Sequence, residues 1–252
     1  MKKYLVIFIV CMFVAVAYLW AQDAKMTVTT SSDKALALYN RAMSAMGNAE
    51  LDTVNQFMNE AFKEDPDFFM GNARLALMNL YVDNQPEFKK YAENAVNSKA
   101  QLSKGETIIK SALEQLLQDP KADVTDLGNS LIELYPDDES AYYFQAQFQN
   151  IIKDYQESIK TYDALLKVTK NPGPVYNQMG YIYMNMGNFE AAQNAFDKYI
   201  ELVPNHPNPY DSKGDYFMAV KDYTNAYASY TKAHQINQAW SYDKALKAKA
   251  LM

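Results

Sequence analysis

The fold class that the sequence predicts is all-α: a solenoid of about six helix pairs followed by a C-terminal capping helix. The stretch Gly173–His206 carries apolar residues at helical spacing in two runs, separated by a turn at Gly187-Asn188. The same pattern recurs along the chain at a spacing of 34 residues. Such a pair cannot bury its apolar face alone, so it needs neighbouring copies. The first columns in phase are the aromatic residues Tyr142, Tyr176 and Tyr210 and the small residues Ala146, Gly180 and Gly214.

The second helix of each predicted pair repeats in the same way. Its columns are Asp154, Asn188 and Asp222 at the turn and Tyr162, Phe196 and Tyr230 on the helix. With the closing Pro204, these features make Glu139–Trp240 resemble the tetratricopeptide repeat family, in an exported bacterial form. The resemblance implies a right-handed α-solenoid in which the first helix of each pair lines a concave, partner-binding face. It identifies an architecture and not a substrate.

Residues 1–21 have the pattern of a secretory signal peptide. Lys2 and Lys3 precede an uninterrupted apolar run, Tyr4–Trp20, and a polar stretch follows. We expect cleavage at the end of this segment, so that the mature chain is exported to the periplasm or secreted. The apolar run also reaches the length of a short membrane span, about 17 residues. An uncleaved anchor formed by residues 4–20, with the rest facing the periplasm, is therefore the alternative, and the only one that involves a membrane.

The rest of the chain divides into a polar lead, weakly matching repeats and strongly matching repeats. Residues 22–34 are polar and lack a helical period, which predicts a flexible lead. The units of 35–138 are degenerate, and the last of them contains a two-residue slip and has Gly128 in place of an aromatic residue. The lost aromatic favours a soft joint at 119–128, although drift without mechanical consequence explains the slip as well. The predicted degenerate repeats are 35–68, 69–102 and 103–138. The predicted strong repeats, within 139–240, are 139–172, 173–206 and 207–240, and the predicted capping helix is 241–252.

Two helix ends are predicted in more detail. Ser103 and Glu106 have the spacing of a capping box, which starts a helix. In the capping helix we expect one face to cover the last pair and the other to meet water. The covering residues are Tyr242, Ala245, Leu246 and Ala248, and the solvent-facing residues are Asp243, Lys244, Lys247 and Lys249.

Composition argues against most function classes. The formal net charge of −6 and the pI near 5.0 carry no signature of nucleic-acid binding. The only cysteine, Cys11, lies in the predicted signal peptide, and the two histidines, His206 and His234, are far apart in sequence, so a metal site lacks ligands. No phosphate-binding loop or nucleophile motif is present. The sequence therefore predicts no catalytic residue, no metal and no cofactor, in a protein that is not an enzyme.

The residues left on the first helices after the packing columns are removed predict a binding face. They are amides and aromatics, which suit the backbone of an extended peptide, with two acids that would repel a free carboxylate. We expect a protein or an internal, extended, neutral-to-basic peptide segment as partner of a scaffold in cell-envelope assembly; partner identity and oligomeric state stay open. The alternative is an exported enzyme or carbohydrate-handling accessory that uses groove carboxylates. The predicted peptide-binding residues are Tyr143, Phe144, Gln147, Asn150, Asn177, Gln178, Tyr181, Asn185, Asp211 and Asp215.

Overall fold

Thirteen helices occur in residues 25–252, the part of the chain that the computed structural model describes, and no strand occurs in that range. The predicted signal peptide lies outside the described residues. Twelve helices form consecutive pairs and the last follows alone, which confirms the all-α solenoid of helix pairs. The helices are α1 Asp33–Gly47, α2 Leu51–Glu64, α3 Phe69–Tyr81, α4 Gln85–Val96, α5 Lys104–Gln118, α6 Thr125–Leu134, α7 Glu139–Ile151, α8 Tyr155–Leu165, α9 Gly173–Asn185, α10 Phe189–Leu202, α11 Pro207–Ala219, α12 Tyr223–Ile236 and α13 Tyr242–Ala250.

Helix length and polarity bear on the membrane. Of the helices just named, none combines the length and the apolar character that crossing a bilayer requires. This finding concerns residues 25–252 alone, and the predicted segment 4–20 is not among them.

Five of the six turns inside the helix pairs share one backbone geometry. Each contains a residue in the left-handed region, with φ between 57° and 72°. The N–H of the next residue then bonds to the carbonyl five residues earlier, as Asn188 does to Tyr183 at 2.9 Å between α9 and α10. This arrangement satisfies a carbonyl that the end of a helix leaves unpaired. The left-handed residues are Ala49, Asp83, Lys153, Gly187 and Lys221.

These turn residues also locate the predicted slip. Ala49 and Asp83 are 34 positions apart, and Lys153, Gly187 and Lys221 follow one another at the same interval. Asp83 and Lys153, however, are 70 positions apart, which is two more than two repeats require. The pair between them, α5 and α6, has no left-handed residue among its described positions. The two-residue slip predicted within 103–138 therefore coincides with the one pair that turns differently.

Aromatic side chains of the second helices pack directly on glycines of the first helices. Phe196 of α10 is fully buried, and Tyr230 of α12 is 2% exposed. A Cβ atom at Gly180 would lie 2.6 Å from the Phe196 ring, and one at Gly214 would lie 2.4 Å from the Tyr230 ring. Because no real Cβ contact is this short, glycine at these positions lets the ring reach the helix backbone. Gly180 therefore lets α10 approach α9 closely.

The described chain divides into two compact units. The first comprises the residues up to Tyr39 together with Met58–Asp154, and the second comprises Asn40–Phe57 and Tyr155–Met252. The segment 119–128, where the sequence favours a soft joint, lies inside the first unit, and a joint there stays a prediction. Gly128 itself is buried, because α6 approaches α7 so closely that a Cβ atom would overlap the Gln145 side chain. It marks close packing of α6 against α7.

The capping helix α13 packs through small side chains. Ala245 and Ala248 are buried against the last pair, as predicted. Tyr242 and Leu246, which we expected to cover that pair, instead leave 55% and 48% of their surface exposed. The physical reason is Lys244, which we expected to face water but which forms ion pairs with two aspartates of α11. Its attachment turns the face that carries Tyr242 and Leu246 outward.

The segment before α1, which we expected to be a flexible lead, is bonded to the first unit. The Met26 N–H donates to Asp138 at 2.7 Å, and the Met26 side chain is buried. The Thr29 N–H donates to Glu106 at 2.8 Å. Sequence periodicity could not reveal these bonds, because the partners lie up to 112 positions away. The described part of the predicted lead is therefore attached to the fold.

Candidate peptide-binding face

Helix α9 presents three of the predicted binding residues as one stripe. Pro174 lies in its first turn, where a missing N–H costs nothing. Asn177, Tyr181 and Asn185 then follow at intervals of four residues, so they share one face of the helix. We call these three residues the α9 stripe. It lies in the second unit, and the predicted residue Gln178 is next to it and half-buried.

Exposure increases along the α9 stripe away from its N-terminal end. Asn177 is 7% exposed, Tyr181 is half-buried and Asn185 is exposed. The side-chain oxygen of Asn177 is buried and accepts no hydrogen bond from the described chain. A buried acceptor without a donor costs about 1–3 kcal/mol. If the amide turns toward the surface, this oxygen can accept a hydrogen bond from a bound molecule.

Tyr181 connects the α9 stripe to α11. Its hydroxyl donates to Asp215 Oδ2 at 2.9 Å, and its ring packs edge-on against Phe196 at a centroid distance of 5.2 Å. The Tyr230 hydroxyl donates to the other oxygen of Asp215 at 2.7 Å. Burial, followed by the neighbouring Asp215 carboxylate, raises the pKa of Tyr181 above its ordinary value of 10.0. The Tyr181 hydroxyl therefore stays protonated and holds its ring in place.

Lys244 of α13 brings the two predicted acids, Asp211 and Asp215, together. Its ammonium lies 2.7 Å from Asp211 Oδ2 and 2.9 Å from Asp215 Oδ1. The Ser241 hydroxyl also donates to Asp211, at 2.6 Å. Burial alone would lower the pKa of Lys244, but Asp215 and Asp211 outweigh it and raise the pKa above 10.5. The expected repulsion of a carboxylate by two free acids is thus reduced, because their charges are largely compensated inside the fold.

Sequence reasoning assigned Lys244 to solvent, although one signal pointed to its role. Asp211 and Asp215 lie one helical turn apart, where two like charges destabilise a helix unless a cation joins them. Lys244 is supplied by the lone helix that follows the last pair. Asp211 is only 9% exposed, and its carboxylate binds Lys244 of the capping helix.

Helix α7 carries the other four predicted residues, in the first unit. Tyr143 and Gln147 are half-buried, and Asn150 is buried. The side-chain oxygens of Gln147 and Asn150 accept no hydrogen bond from the described chain. Phe144 is fully buried, with the Arg74 guanidinium 3.8 Å above its ring. It is a core residue, so the structure leaves it no surface to offer a peptide.

Both histidines have roles within the second unit. His206 Nδ1 accepts the Asn208 N–H at 3.2 Å and so caps α11, while its Nε2 lies 3.3 Å from Glu50 Oε1. His234 Nδ1 lies 3.1 Å from the Trp240 carbonyl oxygen. Within residues 25–252, no three His, Cys, Asp or Glu side chains converge as metal ligands do.

Comparison with known proteins agrees with this architecture. A family model described as Tetratricopeptide repeat matches residues 173–206, which contain α9 and α10. This match covers one helix pair of the chain. A crystal structure of a thermophilic tetratricopeptide-repeat protein from Thermus thermophilus resembles it with a TM-score of 0.51 at 14% identity, over 72% of this chain and 97% of that one. At this identity the likeness shows the fold alone.

A second structure, described as MamA MSR-1 C2, matches with a TM-score of 0.44 at 14% identity, over 65% of this chain and 93% of that one. No curated protein matches the sequence. Tetratricopeptide-repeat proteins are generally non-catalytic scaffolds for protein interaction. The repeats therefore suggest an interaction scaffold and leave its partner to be argued from side chains.

Proposed function

We propose that this protein is an exported, non-catalytic scaffold that binds an extended segment of a partner protein along the α9 stripe. The unpaired, buried oxygen of Asn177 carries the proposal. An extended segment offers backbone N–H groups that can satisfy this oxygen once the amide turns toward the surface, whichever side chains the segment has. The Tyr181 ring next along the stripe adds a rigid contact surface at low entropy cost.

The charges around the stripe favour a neutral or basic segment. Asp211, Asp215 and Lys244 together carry one net negative charge. Because Lys244 leaves only one net charge at this end of the stripe, binding should depend only modestly on salt. The amide oxygens of Gln147 and Asn150 on α7 offer the same chemistry in the first unit.

A photo-crosslinking amino acid at position 185, the more accessible end of the stripe, tests the site in the native host. The matched control is position 194, an exposed asparagine on the second helix of the same pair. We expect crosslinks from position 185 that concentrate on one partner segment, and few from position 194. Equal and unselective crosslinking from both positions would contradict the proposed site.

Export is a separate part of the proposal and rests on the Tyr4–Trp20 pattern that follows Lys2 and Lys3. Intact mass of the protein purified from its host should give an N-terminus at Gln22, in periplasmic or secreted material. A full-length species that needs detergent for extraction would establish the anchor formed by residues 4–20 instead. The same fractionation tests the proposed place in cell-envelope assembly, because the partner must occur in the same fraction.

A further inference from the structure

The chain binds one extended segment already, and that segment is its own. Residues 25–32, which we call the N-terminal arm, contain no helix and are bonded to three carboxylates of the first unit. The Met26 N–H donates to Asp138 Oδ2 at 2.7 Å. The N–H and the hydroxyl of Thr29 both donate to Glu106.

The last contact of the N-terminal arm is at Asp65. The Thr30 hydroxyl and the Ser31 N–H donate to its Oδ2 atom at 2.6 and 2.9 Å. In return the Ser103 hydroxyl donates to the Thr27 carbonyl at 2.9 Å. The arm therefore contacts the fold through its backbone at four points. It runs from the start of α7, past the start of α5, to the loop before α3.

The three carboxylates are buried and form a row, which we call the edge strip. Asp65, Glu106 and Asp138 are 5%, 0% and 9% exposed. Each also holds a backbone N–H at or before a helix start: Asp67, Ser103 and Ser140 respectively. Glu106 and Asp138 lie at helix N-termini, which favour a negative charge. Asp65 lies instead in the loop between α2 and α3, where donors from Thr30, Ser31 and Asp67 stabilise its ionised form. An ionised carboxylate can accept several hydrogen bonds, and the arm supplies the additional donors.

The spacing of the edge strip suits an extended chain. Three residues of extended backbone span about 10 Å, and packed helices lie about 8–10 Å apart. Accordingly Met26 reaches α7 and Thr29 reaches α5. Much of the recognition is by backbone N–H groups, which every residue except proline carries. The site therefore recognises a conformation first and a sequence second.

Two features add sequence preference. Met26 is 7% exposed and lies over Gly105, where a Cβ atom would come within 2.5 Å of its sulfur atom. The absence of a side chain at Gly105 thus makes room for a large, flexible apolar residue. Thr29 and Thr30 add hydroxyl donors to Glu106 and Asp65. Thr27, in contrast, is exposed.

We propose that the edge strip is a peptide-binding site for extended segments that carry a large apolar residue followed, three positions later, by two hydroxyl residues. The N-terminal arm is its resident ligand. A free segment of this type binds the strip when the arm of the chain is weakened. This site is distinct from the α9 stripe, so either proposal can fail without the other.

The test uses the full chain with its arm weakened by Met26→Ser and Thr29→Val, and a fluorescent peptide of residues 25–32. We expect the peptide to bind the weakened chain at least tenfold more tightly than the wild-type chain, whose own arm competes at high effective concentration. A peptide with Thr27→Val should bind like the parent peptide, and one with Met26→Ser should not bind. Equal affinity for both chains, or no binding to a folded weakened chain, overturns the proposal.

Two further measurements keep the test decisive. In the weakened chain, Asp138→Asn should reduce peptide affinity at least fivefold, whereas Asp137→Asn, at its exposed neighbour, should not. If the weakened chain does not fold, the peptide added in trans should restore its helical circular dichroism, and the milder Thr29→Val chain is used for binding. Failure of the peptide to restore helicity also overturns the proposal.

Discussion

At the residue scale, the stability of the repeats depends on aromatic rings that lie against glycine. The Phe196 ring fits against α9 only because Gly180 has no side chain. The same ring lies 6.3 Å from the ring of Tyr216 in the next pair, centroid to centroid. One side chain therefore holds a pair together and joins it to its neighbour.

We predict that Phe196→Ala lowers the free energy of unfolding by about 3–5 kcal/mol, as large-to-small core substitutions do. Phe189→Ala on the same helix is the control, because Phe189 is 39% exposed and should cost far less. Urea unfolding followed by circular dichroism measures both. A loss below about 1 kcal/mol for Phe196→Ala would mean that the ring is not the anchor described here.

A second residue-scale prediction concerns the left-handed turns. Lys221 occupies the position that Gly187 occupies one repeat earlier, at φ 62°. A left-handed residue with a side chain costs roughly 1–2 kcal/mol, partly offset by the greater entropy that glycine loses on folding. Lys221→Gly should therefore stabilise the protein by about 0.5–1 kcal/mol. The control is Lys232→Gly, within α12, which should destabilise the protein by about 1 kcal/mol. Thermal unfolding measures both variants. A lower stability for Lys221→Gly as well as for Lys232→Gly would contradict the turn geometry.

Asp65 makes one further residue-scale prediction, about pH. Burial pushes its pKa upward, but bonds from Thr30, Ser31 and Asp67 outweigh burial and hold the pKa below its ordinary value of 3.8. The ionised carboxylate therefore stabilises the fold above pH 3.8, and this contribution is lost as the pH falls through the lower folded-state pKa. Asp65→Asn should be less stable than wild type at pH 7, and the difference should shrink below pH 3.8. A difference that stays constant from neutral pH to the acid range speaks against this role.

At the scale of elements, the helix pairs were predictable and their long-range polar partners were not. Each repeat column places the same chemistry in the same packing position, so Tyr162, Phe196 and Tyr230 appear in phase in the sequence. A local helix cap was also predictable from sequence, because the capping box predicted from Ser103 and Glu106 is present.

The attachment of α13 and the binding residues show where sequence reasoning stops. Lys244 and Asp211 lie 33 positions apart, almost one repeat, but on helices with different roles. No periodic pattern specifies such a pair. Among the predicted binding residues, the stripe on α9 follows from helical spacing, whereas the burial of Phe144 depends on Arg74 from another pair. Spacing along one helix can be read from sequence, but what covers that helix cannot.

The capping helix makes the element-scale prediction. Lys244→Met removes the cation that joins Asp211 and Asp215, and should cost about 1–2 kcal/mol, less than a fully buried pair because Lys244 is partly exposed. The loss should be smaller at high salt, and α13 should become sensitive to proteolysis. Lys247→Met, an exposed position on the same helix, is the control and should change neither property. Equal behaviour of the two variants would show that the ion pairs do not hold α13.

At the scale of the whole molecule, the protein carries two kinds of candidate peptide site. The α9 stripe belongs to the second unit and has an unpaired amide oxygen. The edge strip belongs to the first unit and is filled by the N-terminal arm. Both sites offer acceptors to backbone groups, which suits a scaffold that recognises an extended conformation first and a sequence second.

The most direct test of binding along the α9 stripe is the affinity of a peptide selected on residues 22–252 from a random display library that includes charged residues. We expect Tyr181→Ala and Asn177→Ala each to weaken that peptide at least fivefold, and Asn194→Ala on α10 to leave its affinity unchanged. Raising the salt from low to physiological concentration should change the affinity by less than about threefold, since few charges are involved. Selection that yields only acidic peptides with free C-termini, or unchanged affinity in the Asn177→Ala, Tyr181→Ala double variant, would contradict the account.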